Sequence, residues 1–167
     1  MKKILLLVAG VVLVAAASLA LWGSRFATGM VRDQLVAQKI TFPDKATLEK
    51  DNPALVKYAG QAVDNGEKAK AYSDYIAGHL KRTADGKTYS EISSEYQKDR
   101  TNQTLANQRQ TLFMGETLRG LLLNAWGWGL VGMIVLYASI ALYVAGAAAL
   151  VAALLLPAKP AKKRAKR

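Results

Sequence analysis

Two long uncharged runs constrain this chain more than any other feature of its sequence. Residues 4–24 hold 21 consecutive positions without Asp, Glu, Lys or Arg, and residues 120–158 hold 39. The hydrocarbon core of a bilayer takes about 20 apolar helical residues, so each run is long enough to cross a membrane. The chain is 51% hydrophobic and still carries a net charge of +11, because its charge is segregated. Residues 25–119 carry 15 basic and 12 acidic residues, whereas the two ends hold eight basic residues and no acidic one.

That segregation implies an orientation. Lys2 and Lys3 precede the first run, and Lys159, Lys162, Lys163, Arg164, Lys166 and Arg167 follow the second. Basic residues close to span ends stay on the cytoplasmic side, so both termini are expected in the cytoplasm and residues 25–119 outside. The first run has two readings. Its basic start and its small residues Ser18 and Ala20 suit a cleaved signal peptide. Its continuation through Leu21 and Trp22 suits an anchor ending at a membrane interface.

The second run is too long for one straightforward span and leaves no room for a turn between two. Leu121 to Trp128, with tryptophans at 126 and 128, reads as an interfacial shoulder. Leu130 to about Leu154 reads as the span, stopped by Pro157 and Pro160. The expected fold is therefore an all-α membrane protein. Its parts are an N-terminal transmembrane anchor or signal peptide (residues 1–24), an extracytoplasmic helical domain (25–119), a shoulder with a second transmembrane helix (120–156) and a basic cytoplasmic tail (157–167).

Within the middle segment, Phe26, Met30, Val31, Leu35 and Val36 recur at helical spacing and carry the first helix as far as Gln38. Lys39 to Pro43 is β-branched and ends in proline, which favours extended chain. Asn52-Pro53 reads as a helix start with Leu55, Tyr58, Ala59, Ala62 and Val63 on one face, closed by Asp64-Asn65-Gly66. Tyr72, Tyr75, Ile76, His79 and Leu80 mark a further helix that ends before Ala84. Another starts near Ser90 and passes Ile92 and Tyr96. After a polar stretch from Asp99 to Gln110, a last helix resumes at Leu112 and runs into the second span. No multistranded sheet and no internal repeat is expected.

Several stretches carry a resemblance. They are Asp33 to Pro43, Tyr58 to Gln61, Gly66 to Tyr72, Gly86 to Ser90, Thr111 to Phe113 and, most specifically, Gly115-Glu-Thr-Leu-Arg-Gly-Leu-Leu-Leu-Asn-Ala125. Together they resemble a family of small two-span actinobacterial membrane proteins with an exported helical segment, over roughly residues 26–130. Members often carry an automatic label as an aromatic ring-opening dioxygenase subunit. The residues argue against that chemistry, because extradiol iron takes two His and one carboxylate and this chain has one His. The resemblance implies topology and an envelope setting, and it supplies no catalytic residue.

Composition excludes much else. Without Cys there is no disulfide, thiol nucleophile, metal–thiolate site or cysteine lipidation. No phosphate-binding glycine loop and no Gly-x-Ser-x-Gly turn is present. No catalytic residue, cofactor or metal is assigned, and the chain is read as non-enzymatic. Acid–base chemistry would have to rest on unpaired carboxylates such as Glu67, Asp74 or Glu116.

The candidate interaction residues are Tyr58, Tyr72, Tyr75, His79, Glu116, Arg119 and Asn124. The tyrosines read either as the core of an alanine-rich domain or as an aromatic surface for a glycan or partner. His79 reads as a boundary residue. Glu116 and Arg119 at i, i+3 read as a local ion pair or as an arginine for lipid phosphate. Ala141, Ala145, Ala149 and Ala153 repeat every four residues and offer a close-packing stripe to the first span, at Gly10 and Ala17, or to another protein or copy. Lys159, Lys162, Lys163, Arg164, Lys166 and Arg167 suit anionic lipid headgroups at about 1 kcal/mol each, and nucleic acid is not expected. The leading expectation is a plasma-membrane accessory or scaffold protein of the cell envelope. The alternative is a lipid- or glycan-binding protein that uses the tyrosine-rich face.

Overall fold

A computed structural model describes residues 1–157. The regular elements among these residues are helices, in the order α1 (Lys2–Ala37), α2 (Lys45–Asp51), a 3-10 turn (Pro53–Tyr58), α3 (Gly66–Thr83), α4 (Tyr89–Lys98) and α5 (Gln103–Leu155). The only extended pairing among them is an isolated antiparallel bridge between Thr41 and Ala62. The described residues divide into two compact units, residues 1–25 with 133–157 and residues 26–132.

The first unit is a pair of helical segments. Both parent helices, α1 and α5, are long and apolar enough to cross a membrane, and only 11% of the most apolar stretch of each is buried. Most of both apolar surfaces is therefore left uncovered by the chain itself. The segments run antiparallel, with Gly10 facing Gly146 and Leu150 while Ser18 meets Tyr143. Their buried positions are small and seven residues apart: Gly10, Ala17 and Ser24 on α1, and Ser139, Gly146 and Ala153 on α5. A Cβ on Gly10 would stand 2.6 Å from Leu150 Cγ and 3.1 Å from the Gly146 carbonyl, so the two backbones meet there only because glycine occupies both positions.

The second unit is built around two apolar clusters. The larger gathers Val31, Leu35, Phe42, Leu48, Val63 and Leu122 with their neighbours. The smaller holds Leu80, Ala84, Ile92 and Leu112. Local chemistry sets the elements. The Asp44 carboxylate accepts from the Thr47 amide at 2.8 Å and starts α2, a helix too short to announce itself by periodicity. Asn52 closes α2, and Pro53 opens a 3-10 turn that stops at Tyr58. The helix expected to run on to Val63 ends there, because residues 61–63 turn to pair with 40–42 through Phe42 N–H to Gln61 O and Val63 N–H to Ile40 O, both 2.9 Å. Asn65 caps α3 instead of closing a preceding helix. Past Thr83, Asp85 takes a left-handed φ of 51° while the Gly86 amide reaches back to Lys81 O at 2.8 Å, a Schellman-type stop. Thr88 and Glu91 form a full capping box on α4.

Two further boundaries differ from those expected from sequence. α5 begins at Gln103, within the polar stretch, after Asn102 accepts from the Leu105 amide. The compact unit also extends to Gly132 and takes in the stretch read as an interfacial shoulder. Leu122 is 2% exposed in the larger cluster, and the first residue of α3, Gly66, packs on the backbone of Trp126 and Gly129.

Candidate functional site

The tyrosines come together as core. Phe42 stacks on Tyr58 and meets Tyr72 edge-on, both at 5.2 Å between ring centres, and Tyr72 lies 5.7 Å from Tyr75. Tyr58 is buried, and its hydroxyl donates to Glu67 at 2.6 Å while Lys57 sits 4.7 Å over its ring. Burial pushes the Tyr72 phenol up from its ordinary range, followed by repulsion from Tyr75. Tyr72 and Tyr75 are half-buried against the larger cluster, so much of the tyrosine-rich face is taken up by packing next to Phe42. The same packing supplies the large side chains that an alanine-rich domain lacks.

His79 is exposed. The buried line of α3 runs through Gly66, Ala69, Ser73, Leu80 and Ala84, and His79 is one position, or about 100°, away from Leu80. It lies within about 20° of the half-buried Tyr72 around the helix and is itself exposed, at the boundary of the packed face. Among the described residues no group of three or more His, Asp or Glu is arranged to hold a metal.

Arg119 Nη1 donates to both oxygens of Glu116, at 2.9 and 2.7 Å, and its Nε is buried without a partner. Both residues border a cleft of about 520 Å³ between α3, the 86–90 turn and α5, with Lys81 and Lys87 on its edge. Lys87 is held by Glu95 at 2.7 Å, and that hydrogen bond raises its ammonium above the ordinary lysine range. The carboxylates that could have served acid–base chemistry are each engaged nearby: Glu67 with Tyr58, Asp74 with Lys70 at 2.6 Å, and Glu116 with Arg119.

Asn124 belongs to a different feature, a groove of about 450 Å³ between the end of α1 and the middle of α5. Its α1 wall includes Met30, Gln34 and Gln38, and its α5 wall includes Leu118, Leu121 and Trp128. None of its lining residues is charged, although residues 26–132 contain 14 basic and 12 acidic residues. Met30, Leu118 and Leu121 are 40%, 38% and 65% exposed, and Trp128 is 48% exposed. Sequence reading found Asn124 and missed the rest. The glutamines at 34 and 38 share a helical face, but nothing in the sequence says that this face meets α5.

Of the alanine stripe, Ala141 and Ala145 are exposed, Ala149 is half-buried and Ala153 is buried. The close approach to α1 runs instead through Gly146. A four-residue step turns about 40° around a helix, so a stripe of that period leaves the interface after one or two steps. A seven-residue step drifts only about 20° and stays on it. The basic residues Lys159, Lys162, Lys163, Arg164, Lys166 and Arg167 lie outside the described residues.

No family model, curated protein or solved structure matches this chain.

Proposed function

We propose that the chain is a non-enzymatic membrane protein of the cell envelope, anchored in the plasma membrane by two spans. Its helical unit lies outside the cytoplasm and serves as an accessory or scaffold module that holds another envelope component. One observation carries this reading: an uncharged, exposed groove in a unit otherwise dense in charge. An exposed apolar surface of this kind, rimmed by polar residues, marks a place where something else binds. The engagement of Glu67, Asp74 and Glu116 in local pairs supports a structural rather than a catalytic use of those carboxylates. The orientation rests on the basic ends, and the family resemblance points to the same envelope setting.

Two measurements test the proposal. The native chain has no cysteine, so single cysteines report cleanly. Cysteines at Lys2 and Ala165 should resist an impermeant thiol reagent in intact cells, and one at the exposed Gln97 should react. Purification in mild detergent should then bring down a component in fixed stoichiometry, lost when Leu121 is replaced by Asp. Protection of the Gln97 site would refute the orientation, and a solitary protein with nothing bound would refute the scaffold role.

A further inference from the structure

The groove has a chemistry of its own. Its volume, about 450 Å³, falls in the range of roughly 300–1,000 Å³ typical of small-molecule sites. A partner helix about 10 Å across would lie over the groove, whereas an extended methylene chain is far thinner and fits along it. The lining has no cation to recognise a phosphate and no carboxylate to recognise an amine. It offers apolar contact from Met30, Leu118 and Leu121 and exposed carboxamides from Gln34, Gln38 and Asn124. A carboxamide is a neutral donor and acceptor, suited to an ester carbonyl or a hydroxyl. Both walls belong to helices long and apolar enough to cross a membrane. For such helices, acyl chains are the most abundant apolar ligand.

We propose that this groove binds the acyl chain of a membrane lipid, with the ester group of that lipid held among the amides of Gln34, Gln38 and Asn124. The inference deepens the scaffold reading and rests on it, since it names the component held. Neutral walls select the chain and ester region and leave the headgroup outside the contact.

The test uses the full chain in vesicles of phosphatidylcholine and phosphatidylglycerol, with a small share of the phosphatidylcholine carrying a diazirine on its acyl chain. After irradiation, adducts are mapped by mass spectrometry. Labelling should concentrate on Met30, Leu118 and Leu121, several-fold above Leu123 and Gly127, which sit on the same stretch of α5 but do not line the groove. Replacing the exposed Gln34 and Leu121 together by Trp fills the groove from outside the core. It should cut groove labelling several-fold while labelling of the spans and the melting temperature stay unchanged. Even labelling around α5 between 118 and 128 would mean that this stretch is simply immersed in lipid, and would overturn the proposal. So would labelled spans with an unlabelled groove, or groove labelling that survives the double substitution. A photoreactive residue at Gln34 that captures a stoichiometric protein in cells, with no lipid adduct in vesicles, would overturn the acyl-chain inference and leave the scaffold reading standing. Cytoplasmic exposure of Gln97 would instead refute the scaffold reading without altering the vesicle result.

Discussion

The two units of this protein differ in the large side chains they bury. The paired segments of α1 and α5 bury Gly10, Ala17, Ser24, Ser139, Gly146 and Ala153 and turn Leu19, Val144 and Leu154 outward. The unit of residues 26–132 buries Phe42, Leu48, Val63 and Ile92 and keeps its charge outside. The difference follows from the solvent each arrangement suits. In water, removing a large apolar side chain from solvent stabilises by about 1.5–3 kcal/mol. Among lipid tails the same burial gains almost nothing, so association depends on backbones approaching closely and on the few polar contacts between them. A single chain thus follows two packing rules.

The sharpest way to break this contrast is to remove bulk from each unit. Leu48→Ala deletes a side chain with no exposed surface and should cost about 2–5 kcal/mol in denaturant unfolding of the full chain in detergent. Leu19→Ala removes a side chain from α1 that is 72% exposed and should cost little. Equal losses would mean that the outward leucines are packed against something in the detergent-solubilised protein.

Adding bulk should reverse the order. A Cβ on Gly146 would stand 2.9 Å from Val14 Cγ2 and 3.2 Å from the Gly10 carbonyl, so Gly146→Leu must part the helices, at about 1–3 kcal/mol. Ala145→Leu adds the same bulk at an exposed position and should leave the melting transition almost unchanged. If both variants melt alike, the seven-residue seam is not the contact that matters.

A smaller effect should come from the hydroxyl pair between the two segments. Ser18 Oγ and Tyr143 OH lie 2.8 Å apart, while Ser18 also donates to Val14 O at 2.8 Å. Hydrogen bonds between helices in lipid average about 0.6 kcal/mol, so Ser18→Ala and Tyr143→Phe should each cost about that much. In a double-mutant cycle their effects should be less than additive.

Acid should distinguish the units most gently. Glu91 and Asp44 are lowered chiefly by backbone hydrogen bonds from Thr88 and Thr47, and Asp99 by the hydroxyl of Thr101, each with smaller contributions. A carboxyl whose folded value is lowered contributes stability that is present above its unfolded value and lost as pH falls through the folded one. The helical unit should therefore weaken gradually below the ordinary carboxylate range. Pairing of the segments in residues 1–25 and 133–157, which contain no Asp or Glu, should not respond. All three groups are on the surface, so the change should be small, and Glu91→Gln should flatten part of it.

Much of the architecture was legible before any coordinates. The two apolar helices, the extended link through Phe42, the stop after Thr83 and the start of α4 all follow from local pattern or capping chemistry, which a sequence states directly. The helix carried past Tyr58 was misread because competition decided it: the pairing of residues 40–42 with 61–63 ends the turn that Asn52 and Pro53 open. Local pattern also does not show that α2 precedes that turn, or that Leu122, inside the apolar stretch 121–128, joins the cluster of Val31 and Leu35.

By itself the sequence determined how apolar each stretch is, since transfer free energy depends on residue type and adds along the chain. It also determined which chemistries were excluded, since a missing Cys or second His cannot be supplied by folding. Only the tertiary structure decided that the tyrosines face Phe42, that the span seam has a period of seven, and that Gln34, Gln38 and Asn124 share one groove. Each depends on the angle at which one helix meets another, and that angle is set by packing between residues far apart in the chain. No local pattern encodes it.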